Sequence, residues 1–111
     1  MKKQYTYGDN TFLVSNKFTG KQKFDLRKLK SKCKKELIAL GESNNPTDAE
    51  AFELMMEGPY IDDLMKIVFY GQDTSVTDFS EVDYFDTLPP VEDFFEIIKK
   101  KNLVKVKPAR K

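Results

Sequence analysis

The chain has 111 residues, 40% of them hydrophobic, with nine phenylalanines, one cysteine and no histidine. That length gives one domain with a modest core, and the apolar content excludes a disordered chain. The net charge of +1 conceals a sorting into blocks, since residues 1–35 balance at +9, residues 36–96 at −15 and residues 97–111 at +7.

The opening, MKKQYTYGDN, is basic but has no apolar segment behind it, so no export signal is expected. No apolar run approaches the roughly 20 residues needed to cross a bilayer. A lone Cys33 forms no internal disulfide and fits a reducing compartment, which makes the cytoplasm the expected location.

In chain order, TFLVSNKFTGKQKFDL reads as two strands, with Phe12 and Val14 on one face of the first and Phe24 and Leu26 on one face of the second. NKFTGKQ supplies the turn, with Gly20 free to take a positive φ. The period then changes: Leu26, Leu29, Cys33, Leu37 and Leu40 form a helical ladder with Asp25 as N-cap and Gly41 as the stop. Thr47 followed three residues later by Glu50 is a capping box that opens a second helix, whose apolar face is Ala51, Phe52, Met55 and Met56.

Gly58-Pro59 breaks the chain, and Pro59 opens a third helix with Ile61, Leu64, Met65 and Val68 inward and Gly71 at its end. The stretch QDTSVTDFSEVDYFDTL is irregular and drapes Phe79, Tyr84 and Phe85 over the core or makes a short helical turn. A last helix is expected from about Pro90 to Lys101 with Phe94, Ile97 and Ile98 inward. In the tail, Leu103, Val104 and Val106 suggest a short strand that Pro108 stops. No internal repeat is evident. The expected architecture is thus α+β and mostly helical: an N-terminal β-hairpin in residues 1–26, a compact bundle of about four helices in 27–101, and a basic tail at 102–111.

Enzyme chemistry finds little to work with. Without histidine the commonest neutral-pH acid/base and metal ligand is missing. Cys33 lies on an apolar ladder and reads as a core thiol rather than a nucleophile. Asp62 and Asp63 are adjacent and diverge on a helix, and Asp83 and Asp86 share a face only if their segment is helical. No metal, cofactor or catalytic residue is therefore assigned.

Binding is the better-supported class. Lys28, Lys30, Lys32, Lys34 and Lys35 crowd one helix and call for an acidic surface or ligand. Phosphates suit them, and so does the acidic middle, either of the same chain or of a neighbouring copy. Arginine is nearly absent from this block, which disfavours base-edge reading. Adjacent apolar pairs such as Phe94-Phe95 cannot both point inward, so some large groups are left for a partner. Met55-Met56, Met65, Tyr60, Phe69-Tyr70 and Phe94-Phe95 are the large apolar groups that either fill the core or meet that partner.

Phe24-Asp25-Leu26-Arg27-Lys28-Leu29 opens a helix, an acidic helical middle follows, and Leu88-Pro89 leads through Phe94 to Ile97-Ile98. Over residues 24 to 101 this order resembles the small tail assembly chaperones of long-tailed phages of Gram-positive hosts. The resemblance implies a non-catalytic protein that coats a long helical tape-measure protein in the host cytoplasm, keeps it soluble and associates with further copies of itself. On that resemblance Phe52, Met55, Met56, Tyr60, Phe94 and Phe95 are the candidate client contacts, and the lysines dock on acidic patches of neighbouring copies. The alternative is a small regulatory protein that binds nucleic acid through its basic helix or mimics DNA through its acidic middle.

Overall fold

A computed structural model describes residues 3–106. The expected class holds, with a two-stranded antiparallel hairpin followed by four helices. Strands β1 (Lys3–Tyr7) and β2 (Asn10–Val14) pair with Tyr5 opposite Phe12. Between them Gly8 takes φ +63° and Asp9 stays at negative φ, the pattern of a two-residue turn that needs glycine first.

The hairpin therefore lies upstream of its expected position. Phe24 and Leu26 belong not to a strand but to helix α1 (Gly20–Ala39). The N-cap is Thr19 rather than Asp25: its hydroxyl accepts from Gln22 N–H at 3.1 Å while the Gln22 side chain accepts from Thr19 N–H at 2.8 Å. This reciprocal box satisfies two of the orphan donors at the helix start. Gln22 is itself buried, and its amide donates to the carbonyl of Ile67 at 2.8 Å, so one side chain starts α1 and ties it to α3. At the other end Gly41, at φ +74°, donates to Ile38 and Glu42 donates to Leu37, both at 3.0 Å. That is the paired closure for which a left-handed glycine is suited.

Helix α2 (Asp48–Met55) opens with the expected Thr47–Glu50 box, and α3 (Tyr60–Val68) follows a cis Gly58–Pro59 bond. In α3, Ile61, Leu64, Met65, Ile67 and Val68 are all buried, because α1, α2 and α4 pack around it. Phe12 stacks on Phe69 at 4.9 Å between ring centres, and Phe79 stands 5.7 Å from Phe12 and 5.4 Å from Tyr7. These rings anchor the hairpin to the helical body by apolar burial and edge–face geometry.

The irregular stretch has its own order. Asp73, Asp78 and Asp83 recur every five residues, and each carboxylate accepts the N–H two residues on, from Ser75, Ser80 and Phe85 at 3.1, 3.2 and 2.9 Å. The first two cap short 3-10 turns, Thr74–Val76 and Phe79–Glu81, and the third precedes α4. A short repeat of capping turns thus exists where none was expected.

Helix α4 (Tyr84–Val106) begins earlier than expected and carries Pro89 and Pro90 inside it. Proline cannot donate to the carbonyl four residues back. For Pro90 that carbonyl belongs to Asp86, and the Tyr7 hydroxyl donates to it at 2.9 Å. The backbone of 103–106 continues this helix, correcting the expected strand. Residues 107–111, half of the expected basic tail, lie outside the described residues.

Candidate partner-binding site

A groove of ≈870 Å³ runs between the first half of α1, α2 and α4. Its floor is apolar: Phe18, Leu26, Phe52, Met55, Phe95 and Ile98. The core ring Phe94 links the aromatic members from beneath: Phe18 meets Phe94 at 5.7 Å, Phe94 meets Phe95 at 5.2 Å, and Phe95 meets Phe52 at 4.7 Å, each pair edge to face. Edge-to-face packing holds the rings in fixed orientations, so the floor is preformed. Along one rim α1 presents Lys23, Arg27 and Lys30 at spacings of four and three, which places all three on one side of the helix.

Asp48 closes the rim between α1 and α2. Its carboxylate takes Lys34 at 2.7 Å and Lys30 at 3.3 Å, and those two hydrogen bonds hold it below the ordinary carboxylate range. It is also the first residue of α2, where a negative charge faces the positive end of the helix dipole.

The six candidate contact residues separate. Phe52 and Phe95 are half-buried and line the groove, and Met55 lies in its floor, although only 2% exposed. Met56 and Phe94 are core residues, 4% and 2% exposed, and do not line the groove. Tyr60 lies outside the groove, with the Lys32 ammonium 6.0 Å from its ring centre. Phe18, Leu26 and Ile98 were not expected as contacts. Phe18 was placed in a hairpin turn, although Thr19-x-x-Gln22 carries the same capping signature as Thr47-x-x-Glu50 and would have put it at a helix entrance.

The lysines divide as well. Lys30 and Lys34 are engaged by Asp48 within the chain, so they are not free for a neighbouring copy. Lys32 approaches Asp63 at 3.9 Å, Lys28 lies 5.4 Å from the ring centre of Phe24, and Lys35 is exposed on the far flank of α1.

Cys33 is fully buried, and burial pushes its thiol up to about 11, which keeps it protonated. Asp62 accepts the Phe79 N–H at 2.8 Å. Among the described residues no group of three or more His, Cys, Asp or Glu side chains is placed to hold a metal ion, and no helix is long and apolar enough to cross a membrane. No family model matches the chain, and no curated protein or solved structure does.

Proposed function

We propose that the protein is a non-catalytic assembly chaperone that holds an amphipathic helix of a client in the groove between α1, α2 and α4. The observation that carries this reading is the pairing of an aromatic floor with a cationic rim: Phe18, Phe52 and Phe95 below, Lys23 and Arg27 alongside, with Lys30 held at the rim by Asp48. A guest helix lays side chains at i, i+3 or i+4, and i+7 into such a trough, while acidic residues on its flank meet the rim. The client class is a long helical protein with exposed apolar stripes, and the phage-tail resemblance of residues 24 to 101 names the tape-measure protein as its representative. On that reading the chaperone covers those stripes until assembly displaces it.

Co-expression with a tape-measure-type client tests this. Phe52→Gln and Phe95→Gln alter half-buried groove residues rather than central core. They are expected to leave the circular-dichroism spectrum native while the soluble client fraction falls several-fold. Undiminished client solubility with both substitutions in place would contradict the reading.

A further inference from the structure

The opposite flank of α1 borders a second groove, of ≈760 Å³, closed on its other side by α3. The geometry points to this groove as a binding site for single-stranded nucleic acid, without sequence preference. This assignment does not depend on the helix-binding reading, because the two sets of α1 residues lie half a turn apart around the helix.

Lys21, Lys28, Lys32 and Lys35 form a stripe along this flank, and Lys66 of α3 faces them across the groove. Two acids answer them: Asp25 pairs with Lys21 at 3.3 Å, and Asp63 lies 3.9 Å from Lys32. Among the described residues Lys28, Lys35 and Lys66 form no ion pair. The groove therefore retains an uncompensated cationic lining, and it calls for a polyanion. At roughly 1.5 Å of rise per residue, the stripe from Lys21 to Lys35 extends for about 21 Å, enough to follow several phosphates of one strand.

What separates a nucleic-acid strand from an acidic peptide is the exposed aromatics set among these charges. Tyr70 lines the groove with 43% exposure, and Phe24, just outside the lining and 5.4 Å from the Lys28 ammonium, is 53% exposed. Both present ring surface on which unpaired bases stack, which a duplex keeps inside and a glutamate-rich peptide lacks. The cations of this flank are all lysine, with Arg27 on the other side of α1. Lysine supplies point charges for phosphates without the planar fork that reads base edges, hence the absence of sequence preference.

Fluorescence anisotropy with a labelled oligothymidylate of about 16 nucleotides tests the assignment. The full-length protein is expected to bind at about 50 mM salt, with log K falling against log salt at a slope of about −3. The Lys28→Gln, Lys35→Gln double variant should weaken binding at least ~10-fold and reduce that slope by about 1.4. Tyr70→Ala should weaken it roughly 10-fold at unchanged slope. The matched substitutions Lys23→Gln and Arg27→Gln on the opposite flank should leave binding intact. Four results would overturn the site: no binding at the lower salt, equal affinity for a duplex of the same length, displacement by polyglutamate at matched charge, or equal losses from the two flanks.

Discussion

Gln72 shows how much one side chain contributes to holding the hairpin in place. Its amide accepts from the Leu13 N–H and donates to the Leu13 carbonyl, both at 2.8 Å, so it acts as a one-residue third strand on the edge of β2. Gln72→Ala strands both peptide groups at a part-buried edge. It should cost about 1–3 kcal/mol in urea unfolding, whereas Gln72→Glu should retain the acceptor half only. Tyr7 works from the other side. Burial, reinforced by the charge of Asp86, pushes its hydroxyl from 10.0 up to about 12. A raised pKa means that the folded protein holds this proton more tightly. The corresponding stability is whole below pH 10 and is lost as pH climbs towards about 12. Tyr7→Phe should therefore be less stable than the parent near neutrality, having lost the bond to Asp86, and the gap should narrow through that alkaline window. An unchanged gap in urea midpoints across those pH values would count against the assignment. None of these links was legible in the sequence, because a glutamine or tyrosine announces hydrogen-bonding capacity but not the distant carbonyl it reaches.

At the scale of elements, legibility followed the strength of local signals. Phe12 and Val14 were correctly placed on one buried strand face, and Thr47–Glu50 correctly opened α2. The misplaced second strand has a specific cause. Phe24 and Leu26 alternate as strand residues do, but Thr19 and Gln22 supply a capping box that commits the backbone to helix before either is reached. Thr19→Ala should thus destabilise the protein by about 0.5–2 kcal/mol, more than Asp25→Ala, and thermal denaturation of the two variants checks the order. The start of α4 was read six residues late because Pro89-Pro90 looks like an entrance. Asp83 starts the helix upstream, and Tyr7 takes the carbonyl that Pro90 leaves unpaired. That compensation is tertiary and has no local signature. The candidate site followed the same rule: Phe95 was legible as half of an adjacent pair that cannot both point inward and Phe52 as part of an apolar helix face, whereas Phe18, Leu26 and Ile98 needed the packing of α1 against α2 and α4 to become neighbours.

Across the whole molecule, the charge blocks find each other only in part. Lys3 meets Asp93, Lys30 and Lys34 meet Asp48, and Lys32 approaches Asp63, so basic residues of the first block reach across to the acidic middle. These contacts are exposed and individually weak, and they orient elements more than they stabilise them. What remains is a helix, α1, with cations left unpaired on each side of its buried face: Lys23 and Arg27 beside an apolar groove on one, Lys28 and Lys35 beside a second groove on the other. The central claim is that the first of these grooves receives a helix. The most direct measurement is an NMR titration of the protein with a helical peptide carrying leucine at i, i+3 and i+7 and glutamate on its flanks. Shift changes centred on Phe18, Phe52 and Phe95, abolished by Phe95→Gln, are the predicted result. Changes confined to Lys28, Lys35 and Tyr70, or none at all, would contradict it.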